Sequence, residues 1–196
     1  MQIIILAIAC MFLTGCSPFL AISGLVGTSV FLGYQHSKAG GIRHTVQDFF
    51  KESEVIGAWK NAKIDQPFLK AYSIKGIVVL VGAVTSKEKL EEIKAITSSH
   101  TENLHCIVRT TITGGWNNDL VFSLKMKLIS NTKISARNYH IDAMQNHIWL
   151  VGIAQTQEEK NEVIKQLELF DGIVSFEHFI VVSPDTLSNG YVIHEG

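Results

Sequence analysis

The sequence carries little charge and almost no excess of one sign. Of its 196 residues, 18% are charged, and 17 Lys and Arg against 18 Asp and Glu leave a formal net charge of −1. A protein that binds nucleic acid over much of its surface needs a basic excess, so that class is excluded, although a local basic patch is not. A hydrophobic content of 46% is typical of a globular protein, and the length suffices for two small domains.

The motifs of the common enzyme classes are also absent from the sequence. It contains no nucleophile elbow, no P-loop and no G-x-G-x-x-G run. The eight histidines form no HxH or HxxxH pattern. His140 and His147 flank a predicted hairpin and could approach each other, but a zinc site needs more donors. We therefore expect no catalytic residues, no metal ion and no cofactor.

The first 16 residues have the pattern of a targeting segment. An apolar stretch at residues 3–13 leads into Leu13-Thr14-Gly15-Cys16, which resembles the lipobox of bacterial lipoproteins. The resemblance implies that residues 1–15 are a signal peptide and that Cys16 is acylated, so that labelled palmitate would enter the protein. It also implies sorting to the outer membrane, because Ser17 stands where an Asp would retain the protein at the inner membrane. Since Met1-Gln2 lacks the usual basic residue, a plain membrane anchor with Cys16 uninvolved is the alternative.

The rest of the cysteine and apolar pattern agrees with a lipoprotein. Once Cys10 is removed and Cys16 is acylated, Cys106 is left alone and no intramolecular disulfide can form, so a buried structural thiol is expected. Residues 19–34 are apolar but short of the ~20 residues that span a bilayer. We interpret them as a tether in or near the lipid interface, with a spanning anchor as the alternative. A polar linker follows at residues 36–41.

A strand-like segment occurs twice, 70 positions apart. Residues 75–82 and 145–152 each contain a turn residue able to adopt positive φ (Gly76, Asn146), an apolar run of five residues in the first copy and of four after His147 in the second, and a final glycine. The apolar run predicts a strand covered on both faces, or on one face with the other partly exposed. After each copy a capping box, at residues 85–88 and 156–159, opens an amphipathic helix. The sequence therefore contains an internal duplication.

Each copy predicts the order α-β-β-α-β, and the fold class is therefore α+β. In the first copy an interrupted stripe of Val46, Phe49, Phe50, Ile56 and Trp59 predicts the first helix. In the second copy the pieces are a helix at 118–130, a hairpin around 144–146, a helix at 157–170 and a strand at 173–182. The predicted division is a signal peptide at 1–15, an acylated N-terminus, tether and linker at 16–41, a first domain at 42–113, a linker at 114–117, a second domain at 118–183 and a loose tail at 184–196.

This duplicated unit of about 70 residues resembles the BON domain. The features that match are the hairpin glycine Gly76, the apolar strands ending in Gly82 and Gly152, and the turn Gly172-Ile173 before the last strand. Together with Cys16, the arrangement resembles the dual-BON-domain outer-membrane lipoproteins associated with division and envelope stress. That resemblance implies two small three-stranded sheets, each with two helices. It further implies a periplasmic-facing protein that binds anionic phospholipid through its second domain.

The first helix of the second copy carries apolar residues on two faces. Leu120, Leu124 and Leu128 recur at helical spacing and are expected to face the core, whereas Phe122, Met126 and Ile129 lie roughly 160° away. Basic residues without acidic ones follow between positions 120 and 141. An outward apolar stripe with neighbouring lysines fits a surface that enters an anionic membrane. The predicted lipid-binding residues are Phe122, Lys125, Met126, Lys127, Ile129 and Lys133.

Three functional hypotheses follow from these features. The first is a non-catalytic, lipid-anchored outer-membrane protein that binds anionic phospholipid and supports envelope integrity. The second is a periplasmic adaptor that uses the same apolar patch for a protein partner. A haemolysin-type role ranks third, since nothing in the sequence resembles a pore-former. An alternative without lipid contact is that Phe122 and Met126 pack against the first domain or another copy of the chain.

Overall fold

The computed structural model describes residues 41–111 and 114–183, with side chains from Val46 onward. The predicted signal peptide, the acylation site Cys16, the tether and the tail from residue 184 lie outside these residues. Within the two described ranges, no helix is both long and apolar enough to cross a bilayer.

The described chain folds as two successive α-β-β-α-β units, as predicted. The first unit consists of α1 (Gly41–Asn61), β1 (Leu69–Ile74), β2 (Ile77–Ala83), α2 (Lys87–Ser98) and β3 (Leu104–Arg109). The second consists of α3 (Asn118–Ser130), a short 3-10 helix (Ala136–Asn138), β4 (Tyr139–Met144), β5 (His147–Ala154), α4 (Gln157–Glu168) and β6 (Ser175–Val182). Each unit forms its own three-stranded sheet, in the orders β1-β2-β3 and β4-β5-β6, with an antiparallel hairpin and a parallel third strand.

The strand register repeats with an offset of 70 residues. Leu69 pairs with Gly82 in the first sheet, and Tyr139 pairs with Gly152 in the second. The prediction for the first capping box, which placed Thr85 at the N-cap, is wrong by one residue. Ser86 occupies that position and accepts a hydrogen bond from the Lys89 amide, 3.2 Å away. Because the backbone turns into the helix one residue later than expected, Ser86 is the counterpart of Thr156, whose hydroxyl caps α4 as predicted.

The glycine that closes the apolar run of each copy is required by a close approach of the hairpin strands. A Cβ on Gly82 would lie 2.0 Å from the Phe68 carbonyl oxygen, and φ there is +120°. A Cβ on Gly152 would lie 2.4 Å from the Asn138 carbonyl oxygen. A real Cβ cannot approach a backbone oxygen so closely, so any side chain would push the strands apart.

The two hairpin turns use different backbone conformations. Lys75 and Gly76 both have positive φ, as a type I′ turn requires. In the second hairpin Gln145 has positive φ at 51°, and Asn146 does not, contrary to prediction. Asn146 instead joins the hairpin to the loop before β6, since its side-chain amide donates to the Gly172 carbonyl at 2.6 Å.

The sheets of the two units pack face to face, with helices on both outer sides. On the inner face of the first sheet, Val79 and Val81 share one apolar cluster with Trp149 and Val151 of the second. Alternate residues on β2 and β5 face outward to the helices of their own unit. The central strands are therefore covered on both faces, which accounts for their unbroken apolar sequence.

An approximate two-fold axis relates the units across this interface. Tyr72 on β1 contacts Asp142 and stacks on His140, both on β4, and Lys70 pairs with Asp142. Positions 142 and 140 correspond to 72 and 70 in the first unit. Lys70 thus contacts Asp142, the counterpart of Tyr72, and Tyr72 contacts His140, the counterpart of Lys70. A two-fold axis produces this exchange of contacts.

Helix α1 differs from prediction in its inward face. Val55 is fully buried and Trp59 is 8% exposed, whereas Phe50, expected in the core stripe, is 65% exposed. The Trp59 indole donates to the Thr97 hydroxyl on α2 at 2.9 Å, which fixes the two helices against each other. The predicted stripe included Phe50 and omitted Val55, whereas the inward line of the helix runs through Val55 and Trp59.

Candidate functional surface

Side-chain hydrogen bonds fix helix α3 at both ends. The Asn117 side chain accepts from the Leu120 amide at 3.0 Å and donates through its Nδ2 to the Gln145 carbonyl at 2.8 Å. At the other end Asn131 donates to Glu162 of α4 at 2.8 Å. These bonds join the helix to the second hairpin and to α4. The predicted bounds of this helix, residues 118–130, are those observed.

The two apolar faces of α3 separate as the spacing predicts. Leu120, Leu124 and Leu128 are buried in the core of the second unit. The opposite set, which we call the outer stripe, consists of Phe122, Met126 and Ile129, whose side chains are 68%, 48% and 57% exposed. These residues are therefore the candidate interaction surface of the second unit.

The outer stripe does not pack on the first unit. The two units meet through the inner faces of their sheets, where Trp149 and Val151 lie, and α3 lies on the other side of its sheet. The alternative in which Phe122 and Met126 are covered by the first domain is therefore wrong.

The predicted basic residues divide into two groups. Lys127 and Lys133 are exposed. Lys125 is partly buried, and its ammonium donates to the carbonyl oxygens of Ala136 and Tyr139, the latter at 2.7 Å. Because those carbonyls belong to the segment leading into β4, Lys125 holds α3 against its own sheet. The structure therefore assigns it a role in packing rather than in the outer surface.

A polar cluster between the two units was not predicted from the sequence. The Asp142 carboxylate is buried, pairs with the Lys70 ammonium and accepts from the Tyr72 hydroxyl at 2.6 Å. Burial, and then the nearby Asp142 charge, raise the pKa of Tyr72 well above its usual value. The Lys70 ammonium also lies 4.6 Å from the centre of the Trp116 ring, a cation–π contact. A lone Asp inside an apolar strand was the sequence signal, since a buried carboxylate needs a partner.

The histidines of the second hairpin have separate neighbours. His140 stacks on Tyr72 with ring centres 4.4 Å apart, and His147 bonds the Ser175 hydroxyl at 2.6 Å. Burial, assisted by the charge of Arg109, lowers the pKa of His147 to about 4. Glu177 lies 3.8 Å from His147 Nε2, a contact that would favour the charged ring, but desolvation outweighs it. Within residues 41–111 and 114–183, no three His, Cys, Asp or Glu side chains come together as metal ligands.

Cys106 lies on β3 and is half-buried, with a free thiol. Burial raises its pKa, so its reactive thiolate form is suppressed at neutral pH. The predicted strand position of Cys106 is confirmed, but the side chain is half-buried rather than buried.

Comparison with known proteins gives little further information. No family model matches the chain, and no curated protein does. One similar solved structure is CdsD, a structural protein of the type III secretion system of Chlamydia trachomatis, at 18% identity and a TM-score of 0.31, covering 69% of this chain and 63% of that one. A second is the C-terminal domain of CdsD, at 17% identity and a TM-score of 0.30, covering 66% and 67%. The chain thus spans less than two thirds of the first of these, and no functional statement follows from either.

Proposed function

We propose that the protein is a non-catalytic outer-membrane lipoprotein that binds anionic phospholipid through its second unit and supports envelope integrity. The observation that carries the proposal is the outer stripe of α3, whose three apolar side chains are about half to two thirds exposed. An apolar stripe beside basic residues is the composition of surfaces that insert at a membrane interface. The BON resemblance stays part of the proposal, and the α-β-β-α-β order of both units supports it.

Charge near the outer stripe favours an anionic partner. Lys127 and Lys133 are exposed near the end of α3, and the sequence contains no Asp or Glu between positions 120 and 141. Each basic residue close to an anionic lipid surface contributes about 1 kcal/mol to binding. Such a surface also suits a protein that is already held by an acyl chain, because stable membrane binding takes two signals. In this proposal Cys16 provides the first signal and α3 the second.

The decisive experiment measures vesicle binding without the anchor. Residues 42–196 should co-sediment with vesicles that contain phosphatidylglycerol and much less with phosphatidylcholine alone. Phe122→Glu should abolish most of that binding, since it replaces an apolar anchor with a charge that anionic headgroups repel. Phe50→Glu is the matched control, because Phe50 is equally exposed, at 65%, but lies on α1. Melting temperatures of both variants should equal that of the parent.

Two results would contradict the lipid proposal. Equal loss of binding in both variants would mean that the net charge of the protein, rather than the outer stripe of α3, governs vesicle association. Undiminished vesicle binding by Phe122→Glu would remove the outer stripe from the membrane contact and leave it available to a protein partner, as the adaptor hypothesis requires.

Anchoring is tested separately in the full chain. Labelled palmitate should enter the wild-type protein, and Cys16→Ala should abolish labelling. An unlabelled wild type that still fractionates with membrane would favour a plain membrane anchor over acylation.

A further inference from the structure

The loop between α4 and β6, residues 169–174, presents a second apolar surface, separate from the outer stripe. Val174 is 82% exposed and Leu169 is 69% exposed, the two highest values among the large apolar side chains of the described residues. Single exposed apolar residues are ordinary, but here two of this size fall within one loop of six residues.

Hydrogen bonds and packing hold this loop in place. The Asn146 side chain donates to the Gly172 carbonyl at 2.6 Å, and the Val174 amide donates to the Asn146 carbonyl at 2.9 Å. Phe170 and Ile173 point the other way and pack on the core of the second unit. The loop therefore buries two apolar side chains and exposes two from a fixed backbone. Because the loop is already ordered, binding a partner costs less conformational entropy than it would for a loop that has to be ordered first.

The charge on the loop and the strand after it is negative, and the nearest basic residue in the sequence is the exposed Lys165, one turn before Leu169 on α4. Glu168 and Asp171 are exposed, and the sequence has no Lys or Arg from position 166 to position 183. The loop also borders the beginning of α3, because a Cβ on Gly172 would lie 4.0 Å from Leu120 Cδ1. Asp119, the residue before Leu120, is exposed and adds a third carboxylate. The exposed lysines Lys127 and Lys133 belong to the C-terminal part of α3 and the segment after it.

An open cleft of about 460 Å³ adjoins the same end of the second unit. Its lining is rich in amides, with one indole and one carboxylate: Gly115, Trp116, Asn117, Asn118, Asp119 and Gln145. Gln145 is the hairpin neighbour of Asn146, which bonds the loop, and Asp119 is shared with the acidic rim. We call the loop, the three carboxylates and this cleft the acidic end.

We propose that the acidic end binds a peptide segment of a protein partner that is apolar and basic. Val174 and Leu169 provide the apolar contact, and Glu168, Asp171 and Asp119 select Lys or Arg on the partner by charge complementarity. The side-chain amides of Asn118 and Gln145 in the cleft offer donors and acceptors to an extended backbone, whereas that of Asn117 caps α3. An anionic membrane is the wrong occupant for this surface, because its headgroups would face three carboxylates. The inference does not depend on the lipid role of α3, and both surfaces can be occupied together.

The test is a selection of short random peptides displayed on phage, with the full chain held in phosphatidylcholine nanodiscs. We expect the selected peptides to combine apolar residues with Lys or Arg. Their affinity should fall at least about tenfold for Leu169→Ser with Val174→Ser, as for removal of an interface anchor. Glu168→Lys with Asp171→Lys should weaken the same peptides and flatten the salt dependence of their binding. Phe122→Ser, on the outer stripe, is the matched control and should leave them unaffected.

Several outcomes would overturn this inference. They are the absence of enriched peptides, enriched peptides without net positive charge, and equal binding to the Leu169→Ser, Val174→Ser variant. If the parent chain self-associates and the Leu169→Ser, Val174→Ser variant does not, the occupant is a second copy of the chain. Loss of phosphatidylglycerol vesicle binding in the same variant would assign the loop to the membrane. Since all these positions are exposed, unchanged melting temperatures are expected, and peptide binding can fail while vesicle binding persists.

Discussion

The two units share a strand register but differ on their outer helices. On α1 the exposed Phe50 lies among balanced charges, since residues 44–70 contain four acidic and four basic residues. On α3 three apolar residues are exposed, and residues 120–141 contain four basic residues and no acidic one. The inner positions of both units are constrained by packing against the neighbouring sheet. The outer positions are free of that constraint, and the difference between α1 and α3 is why the proposed membrane contact is assigned to the second unit.

The interior also differs between the units, at single positions. His147 on β5 corresponds to Ile77 on β2, and Glu159 at the start of α4 corresponds to Lys89 on α2. Both polar residues of the second unit are buried. The duplicated backbone thus tolerates buried polar groups where specific partners exist.

The largest expected effect concerns the glycines that the units share. Gly82→Ala and Gly152→Ala should each lower the free energy of unfolding by about 3 kcal/mol or more, because the new Cβ would overlap a backbone oxygen. Urea titration of residues 42–196 measures the change. Gly57→Ala is the control, since Gly57 lies inside α1 with open space around it, and there Ala should stabilise by up to ~1 kcal/mol. A neutral Gly82→Ala would mean that the strands separate easily and that the shared glycines do not set the register.

The next largest effect on stability should distinguish the N-terminus of α4 from that of α2. The Glu159 carboxylate is buried and accepts from the Gln155 amide at 2.7 Å and the Ser135 amide at 2.8 Å. Glu159→Ala should cost about 2 kcal/mol, because two backbone donors lose their acceptor. Lys89→Ala, at the corresponding position of α2, should change unfolding by less than ~0.5 kcal/mol. Equal effects of the two substitutions in urea titrations would show that Glu159 adds nothing beyond its position in the helix.

A pH dependence of stability should arise in the second unit from His147. Its folded pKa of about 4 lies below its ordinary value of 6.5, so the unfolded chain binds the proton more readily. Stability from this group is therefore full above pH 6.5 and is lost as pH falls toward 4. Between pH 7 and pH 5 the loss should be about 2 kcal/mol.

The matched substitution for this pH effect is His147→Ile, which copies the first unit. Ile77 packs against the apolar cluster between the sheets, so Ile should be accommodated there. Urea titrations at pH 7 and pH 5 should differ less for the variant than for the parent. If the difference is unchanged, another group carries it, and His178, whose pKa is also lowered by burial, is the first to examine.

The repeated pattern was sufficient to predict the order of elements, because strand periodicity and caps are local properties of the sequence. It did not reveal that the two sheets pack on each other, since apolar runs such as residues 77–81 indicate only that both faces are covered. It also misplaced Phe50, because α1 has apolar residues at too many positions for spacing alone to choose the inner face. The pairing of Asp142 with Lys70 and Tyr72 depends on contacts 70 or more residues apart, which a single sequence does not encode locally.

For the candidate surface, the sequence located the outer stripe but not the direction of each lysine. Helical spacing places Phe122, Met126 and Ile129 opposite the leucines, and their exposure agrees with that. Lys125 was grouped with Lys127 by composition, yet its ammonium reaches carbonyls of a segment that packs beside α3 only in the folded chain. The loop at residues 169–174 was predicted as the end of a helix at 170, a turn and the start of a strand at 173, whereas the helix ends at Glu168 and the strand begins at Ser175. Its exposure depends on which of its apolar residues the core accepts.

The smallest effects distinguish these two lysines. Lys127→Gln should weaken binding of residues 42–196 to phosphatidylglycerol vesicles by about 1 kcal/mol, roughly fivefold, without changing the unfolding free energy. The reason is that the exposed ammonium loses only its attraction to the lipid surface.

Lys125→Gln should instead lower the unfolding free energy and leave vesicle binding unchanged. The carbonyls of Ala136 and Tyr139 would lose a charged donor, so unfolding should become easier by about 1 kcal/mol while vesicle binding of the folded protein stays unchanged. Vesicle titrations at two salt concentrations complete the comparison, since screening should weaken the parent and Lys125→Gln more than Lys127→Gln. Equal loss of vesicle binding in both variants would show that Lys125 leaves its carbonyl partners at the membrane, and that the basic group on α3 acts as a whole.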